Sequence, residues 1–540
     1  MFYYPLMTQS HILNGLNDSQ KMAVTTTEGP LLVVAGPGTG KTLTIVRRIA
    51  YLINQGVAPE NILAVTFTNR AAKEMLERAN AFLDSNCGKA FIGTFHLLGL
   101  KIIRHTLPDN FIIFSRDEQL NLLKTLLKKS GRKAQQVAEK ISRFKNFIEE
   151  ADDETKDIYE GYQSALKRNS ALDFDDLILG PVRMLGKSAQ LKKYREQFRY
   201  IIVDEYQDIN PAQYKLLRLL TDSSRNICAV GDADQAIYAF RGADMGNFLN
   251  FEKDYEGTER IFLTDNYRST GTILNTSNSL IKNNLKRIDK EVSAVREKGS
   301  VVTLISVPDE RAEGEAIVRE IEQRIGGTSH YQMMHNSPAR DFSDDSCCFS
   351  DFAVIFRTNA QAKAIEEAFI TSGIPYQVVG RWNSLQAKAT EDTLAYLRSL
   401  IEPSSECHFD TTDPVAAGLL TPADCFDPRA DVVTLMTLHM AKGLEFKVVF
   451  IAGVEEGLIP YTLKKDSIDT EEERRLFYVG MTRARDQLFL INARKRFLYG
   501  QRLTPLPSPF LKEITEEFTN SIVVPDRVKR QKENNQPGLF

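Results

Sequence analysis

The sequence lacks the features that mark membrane, secreted and disulfide-rich proteins. Its 540 residues contain no run of 18 apolar residues, and the start MFYYPLMTQS has neither the basic flank nor the apolar core of a secretion signal. The six cysteines form no CxxC pair, so they match neither the usual zinc spacing nor a disulfide framework. We therefore expect a cytoplasmic protein with reduced thiols and no membrane contact.

A large excess of one charge is also missing, as is an excess of glycine or proline. The net charge is -3, and the chain has 31 Gly, 20 Pro and 42% hydrophobic residues, which is the composition of an ordinary globular protein. A near-neutral chain can still bind nucleic acid through a local basic groove. The length of 540 residues predicts several domains rather than one small module.

Short apolar runs predict an α/β protein with two lobes, each built on a parallel sheet. In each case a polar or glycine-rich turn and then helical periodicity follow the run. The first lobe contains such runs at 31–34, 62–67, 200–203 and 227–230. The second lobe contains them at 301–307, 352–356, 432–438, 448–452 and 488–491.

The same patterns predict the domain boundaries. We assign the first lobe to 1–113 and 194–272, and the second lobe to 273–400 and 431–515. A helical subdomain, 114–193, is inserted in the first lobe, and its basic run fits either a solvated helix face or a DNA contact. We expect a short loop at 401–430 and a mobile polar tail at 516–540.

A phosphate-binding loop follows the first predicted strand. It reads Ala35-Gly36-Pro37-Gly38-Thr39-Gly40-Lys41-Thr42, and a helix-compatible segment comes directly after it. The glycines let successive backbone N–H groups face phosphates, Lys41 brings positive charge to the β and γ phosphates, and the Thr42 hydroxyl can ligate Mg²⁺. The loop therefore predicts binding of a nucleoside triphosphate.

Polar residues at the ends of two later strands extend this site. Asp204 and Glu205 follow the strand at 200–203, where Asp204 can hold Mg²⁺ and Glu205 can orient the attacking water. Gln235 follows the strand at 227–230 and can sense the γ-phosphate. Arg268 and Arg483 can stabilise the transferring phosphoryl group, although their spacing alone fits surface ion pairs equally well.

Further short motifs occur in order between Leu16 and Leu511. They read LNDSQ at 16–20, TFTNRAA at 66–72, GTFH at 93–96, LDFDDL at 172–177, DEYQD at 204–208, QAIYAFRGA at 235–243, NYRS at 266–269, FRTNAQ at 356–361, TLHMAKGLEF at 437–446 and VGMTRA at 479–484. Together with the phosphate loop, this set resembles the superfamily 1 DNA helicases of the UvrD/Rep/PcrA type.

The resemblance implies two RecA-like lobes that use ATP and Mg²⁺. By this resemblance Gln20 contacts the edge of the adenine, and Tyr267 stacks on the base. Glu445 contacts the ribose, while Arg268 and Arg483 reach the γ-phosphate. These assignments come from the family and not from the spacing of the residues.

The resemblance also implies a path for single-stranded DNA. Aromatic stacking comes from Phe67, Tyr238 and Phe240, which suits sequence-tolerant binding because every base has a π face. The other residues implied along this path are polar or charged: Thr94, His96, Arg241, Arg357, His439 and Lys442.

The activity implied is that of an ATP-dependent 3′–5′ helicase that moves on single-stranded DNA and unwinds tailed duplexes in repair, replication or recombination. Relatives carry a helical domain where this chain has only 401–430. A translocase that displaces proteins without unwinding is therefore the nearer alternative. A non-catalytic adaptor bound to DNA or to a clamp is the more distant one.

The C-terminal peptide QPGLF, at 536–540, resembles the short motif by which replication and repair proteins dock on the bacterial sliding clamp. Gln536, Leu539 and Phe540 would be its contact residues. A terminal apolar anchor on a polar tail fits a peptide-in-pocket mode of binding, and an inert tail is the alternative.

Overall fold

The computed structural model describes residues 9–83, 89–108, 110–128, 132–186, 190–221, 226–326, 347–380, 426–463 and 469–526. Its described residues form two compact units. Unit 1 contains the chain up to Arg268, the segment Leu285–Val295, and residues 380 and 426. Unit 2 contains Ser269–Asn284, Arg296–Val379 and the chain from Asp427 onward. Among the described helices, none is long and apolar enough to cross a membrane.

Unit 1 is built on a parallel sheet. Its strands are β1 (Leu31–Ala35), β2 (Ile62–Thr66), β3 (Phe91–Thr94), β6 (Tyr200–Val203), β7 (Ile227–Gly231) and β8 (Glu259–Leu263). They lie in the order β3-β2-β6-β7-β1-β8, and each pairing is parallel. Two short parallel pairs join β4 (Ile112–Ile113) to β5 (Ala171–Leu172) and β9 (Asp265–Asn266) to β10 (Ser293–Ala294).

The helices of unit 1 lie on both faces of this sheet and in the inserted region. They are α1 (Gln9–Leu13), α2 (Asp18–Thr25), α3 (Lys41–Asn54), α4 (Asn69–Phe82), α5 (Phe95–Ile103), α6 (Arg116–Leu126), α7 (Ala134–Lys145), α8 (Asp153–Arg168), α9 (Asp176–Leu185), α10 (Gln190–Gln197), α11 (Pro211–Leu220), α12 (Gly246–Leu249) and α13 (Phe251–Asp254). Alternate residues of β1 enter different apolar cores, Leu32 and Val34 on one face and Leu31 and Val33 on the other. The apolar run at 31–34 is therefore buried on both faces, as is typical of a parallel sheet.

The inserted region is helical and has a core of its own, to which α6, α7 and α8 contribute. A buried cation lies beside this core. The ammonium of Lys145 is 2.7 Å from Asp173 and 2.8 Å from Asp176, and the Tyr162 hydroxyl donates to Asp173 at 2.9 Å. Three more cations of the basic run also pair with nearby carboxylates: Arg132 with Glu154, Lys140 with Asp152 and Arg143 with Glu149. The run therefore contains one buried structural cation, Lys145, and three cations in solvent-accessible ion pairs.

Unit 2 is built on a second parallel sheet. Its strands are β11 (Val302–Val307), β12 (Phe352–Phe356), β13 (Tyr376–Val378), β14 (Val433–Thr437), β15 (Phe446–Ala452), β16 (Ala484–Ala493) and β19 (Thr519–Val523), in the order β13-β14-β12-β15-β16-β11-β19. Its helices are α14 (Gly271–Ile281), α15 (Glu310–Ile325), α16 (Asn359–Ser372) and α17 (Thr470–Met481). An antiparallel hairpin joins β17 (Arg496–Leu498) to β18 (Gln501–Leu503). The prediction of two α/β lobes on parallel sheets is confirmed.

Two segments differ from the predicted division. Part of the expected mobile tail, Thr519–Val523, pairs with β11 at the edge of the unit 2 sheet. Four of its five residues are exposed, so backbone hydrogen bonds place it there and no apolar pattern marks it. The segment Leu285–Val295, predicted within the second lobe, belongs to unit 1 because two of its cations pair with carboxylates of that unit. Residues 401–425 and 527–540 lie outside the described residues.

The buried ion cluster predicts a large cost for removing its cation. We expect Lys145→Met to lower the free energy of unfolding by about 3–5 kcal/mol, because two buried carboxylates lose their partner. Lys140→Met, which removes an exposed ion pair, should cost less than about 1 kcal/mol. Urea unfolding followed by circular dichroism measures both, and equal effects of the two substitutions would contradict this reading.

Candidate functional site

The phosphate loop connects β1 to α3, as predicted. Helix α3 begins at Lys41, and the residue before it, Gly40, has a φ of 81°. Gly38 also lies in the left-handed region, with a φ of 66°. The first turn of the helix leaves backbone N–H groups without partners inside the helix, and the helix dipole adds partial positive charge there. The loop therefore has the local form of an anion-binding site.

Two distant segments approach the loop so closely that a side chain would not fit. A Cβ at Gly36 would lie 2.7 Å from Cγ2 of Val292. At Gly38 it would lie 2.5 Å from Cβ of Arg268. Glycine is thus required at both positions for packing, in addition to the backbone conformation at Gly38.

A third approach comes from α2. The Gln20 side chain donates from Nε2 to the Thr39 carbonyl at 3.0 Å and accepts from the Asn17 backbone N–H at 3.1 Å. A Cβ at Gly40 would lie 2.7 Å from the same Nε2. Asn17 in turn donates from Nδ2 to the Tyr267 hydroxyl at 3.0 Å. The structure therefore brings Gln20 and Tyr267 to the phosphate loop.

The segment Asn266-Tyr267-Arg268 holds the loop through backbone groups. Asn266 Nδ2 donates to the Pro37 carbonyl at 2.6 Å, and the Tyr267 N–H donates to the Gly38 carbonyl at 2.9 Å. Asn266 Oδ1 also accepts from the Arg268 N–H at 3.0 Å. The Tyr267 side chain remains 45% exposed, so its ring is accessible for stacking.

The carboxylates that end β6 occupy distinct environments. Asp204 is buried; its Oδ1 accepts from the Glu205 N–H at 3.0 Å and its Oδ2 from the Thr66 hydroxyl at 3.4 Å. Burial, with the negative charge of Glu205, raises the pKa of Asp204 to about 7, although Lys41 acts in the opposite direction. Glu205 has a φ of 51°, a left-handed conformation that is uncommon outside glycine. This combination of burial and backbone strain is typical of functional carboxylates.

Hydrogen bonds connect these carboxylates to Gln235. Gln207 Nε2 donates to Glu205 Oε2 at 2.5 Å, and Gln207 Oε1 accepts from the Asp232 N–H at 3.0 Å. Gln235 Nε2 donates to Asp232 Oδ2 at 2.7 Å. Sequence analysis did not single out Gln207 or Asp232, although both lie within two or three residues of predicted site residues. Their closeness in sequence to Glu205 and Gln235 was the signal that could have identified them, since neither side chain has a chemistry specific to phosphate transfer.

The aromatic residues predicted to bind DNA form one surface of unit 1. The rings of Phe67 and Tyr238 stack with centroids 5.2 Å apart and planes 7° apart, and Phe240 is tilted against Tyr238 at 6.0 Å. The Arg241 guanidinium lies 5.2 Å from the Tyr238 centroid and 5.5 Å from that of Phe240. Because Phe240 is 53% exposed, this surface presents an aromatic face and a cation to solvent.

Thr94 and His96, also predicted to line the path of the DNA, make contacts within the protein. The Thr94 hydroxyl accepts from the Leu97 N–H at 3.3 Å and so caps α5, and Thr94 is buried. His96 packs edge-on against Phe174, with ring centroids 6.0 Å apart. Burial lowers the pKa of His96 to about 4, so its ring is neutral at pH 7. Any contact that His96 makes with DNA is therefore uncharged.

The predicted ATP residues of unit 2 lie close together in that unit. Arg483 is buried and donates to the carbonyls of Val479 at 2.9 Å and Leu444 at 3.2 Å. The side chain of Glu445 is 45% exposed and lies 3.9 Å from Arg485. Glu445 lies in the turn before β15, and Arg483 lies just after the end of α17.

The predicted DNA residues of unit 2 are Arg357, His439 and Lys442. Arg357 makes a two-pronged ion pair with Glu473, at 2.6 and 3.1 Å, and its guanidinium lies 4.9 Å from the centroid of Tyr461. His439 and Lys442 are half-buried in the turn that follows β14. The predicted clamp-binding residues Gln536, Leu539 and Phe540 lie outside the described residues.

Comparison with known families decides the assignment. Residues 16–256 match the UvrD/REP helicase N-terminal domain, and residues 261–412 and 417–495 match the UvrD-like helicase C-terminal domain. The chain belongs to the UvrD/Rep helicase family. The resemblance predicted from the ordered motifs is therefore confirmed.

Two similar proteins are the ATP-dependent DNA helicases PcrA of Staphylococcus epidermidis and Staphylococcus aureus. They are 32% and 33% identical to this chain, and the alignments cover 94% of this chain and 88% and 87% of the respective relatives. A solved C-terminal domain of a possible DNA helicase from Lactobacillus plantarum is 15% identical and covers 47% of this chain and 98% of its own, with a TM-score of 0.25. The first two alignments extend over 656 and 653 positions, more than the 540 residues here, so these relatives carry segments that this chain lacks.

The close packing around Gly38 yields a matched pair of substitutions. Gly38→Ala should lower kcat/KM for ATP on the order of 100-fold, because a displaced loop misplaces the phosphates. Gly56 has a similar left-handed φ of 90° but nothing within 4 Å of a Cβ. Gly56→Ala should therefore lower stability without this loss, and equal ATPase activity of the two variants would contradict the packing argument.

The lowered pKa of His96 predicts a pH profile. A group with a folded pKa of about 4 is already neutral from pH 5.5 to 8, so titration of His96 should not alter single-stranded DNA affinity in this range. Fluorescence anisotropy at constant ionic strength should give parallel pH profiles for the unsubstituted protein and His96→Asn. A gain in affinity below pH 6.5 that is lost in the variant would show that the ring becomes charged.

Proposed function

We propose that this DNA helicase of the UvrD/Rep family hydrolyses ATP to move 3′ to 5′ along single-stranded DNA, and that it separates the strands of a tailed duplex. The observation that carries the proposal is the presence of two surfaces within unit 1. One is the phosphate loop with its carboxylates, and the other is the exposed aromatic surface of Phe67, Tyr238, Phe240 and Arg241.

ATP binding is supported by the groups that converge on the phosphate loop. The start of α3 offers N–H groups and Lys41 to the phosphates, and the exposed ring of Tyr267 offers a face to the adenine. Gln20 lies beside the loop and is the polar candidate for the base edge. Arg268 follows Tyr267 and is the candidate in unit 1 for contact with the γ-phosphate.

Magnesium fits the residues at this site. Thr42 and Asp204 offer hard oxygen ligands, and the raised pKa of Asp204 marks a buried carboxylate that a nearby cation would stabilise. Among the described residues, no group of three or more His, Cys, Asp or Glu is arranged to hold a metal ion. Mg²⁺ is commonly held by one or two carboxylates together with substrate phosphates and water. When bound, the ion would neutralise charge on those phosphates.

Glu205 is the group proposed to orient the attacking water. Its left-handed backbone conformation and the hydrogen bond from Gln207 restrict where its carboxylate lies. Gln235, fixed by Asp232, is proposed to contact the γ-phosphate and to sense its loss. From the family resemblance, Arg483 is proposed to act on the same phosphate; in the structure its guanidinium donates to the carbonyls of Val479 and Leu444.

DNA binding is proposed to combine stacking with phosphate contacts. Phe67, Tyr238 and Phe240 would stack on bases, and Arg241 would add a cation beside them. Affinity for single-stranded DNA should fall as salt rises, because bound cations are released from the DNA when lysines and arginines replace them. The direction of movement rests on the family resemblance.

Strand separation has an alternative, because similar helicases carry segments that this chain lacks. A translocase that strips proteins from single strands is the second candidate.

The C-terminal QPGLF peptide is proposed as a clamp contact, and deletion of residues 536–540 should abolish binding to a purified sliding clamp. Unchanged clamp binding would refute that contact and leave the motor assignment intact.

The decisive test combines ATP hydrolysis with unwinding. ATPase activity should rise with single-stranded DNA, and a duplex with a 3′ tail should be unwound while one with a 5′ tail is not. Lys41→Ala should abolish both activities, whereas Lys192→Ala, at a side chain 84% exposed, should abolish neither. Stimulated hydrolysis without unwinding would favour the translocase, and unstimulated hydrolysis would contradict both.

The aromatic surface gives a separate prediction for DNA binding. Phe240→Ala should weaken single-stranded DNA binding by about 1–3 kcal/mol through the loss of one stacking face. Met22 is the matched control, because it is 52% exposed against 53% for Phe240. Met22→Ala should leave the affinity unchanged in the same anisotropy titration, and equal losses would show that hydrophobic exposure alone explains the effect.

A further inference from the structure

A segment that sequence analysis did not connect with the nucleotide site lies directly against it. We call Leu285–Val295 the strap. It belongs to unit 1, although the chain on both sides of it, Ser269–Asn284 and Arg296–Val379, belongs to unit 2. The strap contacts the phosphate loop through Val292, and its residues Ser293–Ala294 pair with Asp265–Asn266.

The strap also brings a buried cation to the carboxylates that follow β7. The Lys290 ammonium is 2.6 Å from Asp232 Oδ1 and 2.5 Å from Asp234 Oδ2. The side chains of these three residues are at most 1% exposed. Arg287 of the strap pairs with Asp234 at 2.9 Å. Buried carboxylates need such partners, because an uncompensated buried charge is strongly unfavourable.

Hydrogen bonds connect Asp232 to residues predicted to act in catalysis. While Oδ1 faces Lys290, Oδ2 accepts from Gln235 Nε2 at 2.7 Å. The Asp232 N–H donates to Gln207, which donates to Glu205. Burial raises the pKa of Asp232, but the charges of Lys290 and Lys41, with hydrogen bonds from Lys290 and Gln235, together make the net shift of this pKa downward. Asp232 is thus kept as the ionised acceptor that the Gln235 amide requires.

The packing around Asp232 and Gln207 leaves little room for their side chains to move. A Cβ at Gly231 would lie 2.4 Å from Gln207 Oε1, so the backbone before Asp232 is packed directly against the Gln207 amide. Asp232 itself is completely buried. Loss of Lys290 would therefore alter the environment of Asp232 and the position of the Gln235 amide that is hydrogen-bonded to Asp232.

We propose that Lys290 is a positioning residue for ATP hydrolysis, which acts through Asp232 to hold the Gln235 side chain toward the γ-phosphate. The inference rests on the proposed role of Gln235. Lys290 itself contacts no nucleotide in this scheme. A purely structural role for the buried ion cluster makes a different prediction, because it would lower stability without a specific dependence on Gln235.

The test is a double-mutant cycle in the full chain, with Lys290→Met, Gln235→Ala and the combined variant. The readouts are kcat and KM for DNA-stimulated ATP hydrolysis, with the thermal unfolding midpoint and nucleotide-free single-stranded DNA affinity as checks on folding. We expect each single variant to lower kcat on the order of 10- to 100-fold with little change in KM. The double variant should be no slower than Gln235→Ala alone, since both substitutions remove the same interaction.

Arg287→Met is the matched control within the strap. Arg287 pairs with Asp234 and not with Asp232 in the described contacts, so its loss should change stability with less than about a threefold change in kcat. Lys290→Gln, which keeps an uncharged donor on a side chain one bond shorter, is the second variant in case Lys290→Met does not fold. We expect it to fold and to have an intermediate kcat.

Two failures can be told apart. If Gln235→Ala hydrolyses ATP at the unsubstituted rate, the proposed role of Gln235 is wrong. If Gln235→Ala is slow but folded Lys290→Met or Lys290→Gln retains full kcat, the positioning role of Lys290 is overturned. Multiplicative losses in the double variant, or an equal loss of kcat in Arg287→Met, would overturn it as well.

Discussion

Close packing against the backbone of the phosphate loop is the constraint on which the nucleotide site depends. Val292 meets Gly36, Arg268 meets Gly38 and Gln20 meets Gly40, each closer than a Cβ would permit. These partners come from three widely separated parts of the chain. The loop therefore acts both as a binding element for phosphate and as the point at which the strap, the NYRS segment and α2 are held together.

Three buried carboxylates in unit 1, Asp173, Asp204 and Asp232, differ in how their charge is compensated. Asp173 and Asp232 each lie against a buried lysine, and the net shift of the pKa of each is downward. At Asp204 burial outweighs the attraction of Lys41, and the pKa rises to about 7. The first arrangement stabilises a fixed geometry, whereas the second leaves a carboxylate whose charge would be completed by a cation that arrives with the nucleotide.

Apolar patterning predicted strands that contain a continuous apolar run, but missed strands that lack one. β1 and β6 were expected within one residue of their ends because their residues are continuously apolar. β8 begins with Glu259 and Arg260, and β19 is exposed along most of its length, so neither has an apolar signature. Pairing with a neighbouring strand decides their conformation, and that depends on distant sequence.

The predicted site shows a similar division. Lys41, Asp204 and Gln20 carry chemistry that can be associated with nucleotides, and the structure brings all three to the phosphate loop or to the nearby end of β6. Lys290 and Gln207 contact Asp232, so sequence alone does not connect them with the site and only the contacts of Asp232 do. Thr94 shows the opposite case, because its hydroxyl is occupied by a helix cap.

The placement of β19 has a consequence for protein association. Strand β11 would otherwise lie at the border of the unit 2 sheet, with a row of backbone donors and acceptors open to another chain. Thr519–Val523 covers that row, and the ion pair between Arg494 and Asp526 secures the chain just beyond it. A truncation that removed this strand would uncover β11 and favour aggregation, so shortened versions of the protein should retain the chain through Asp526.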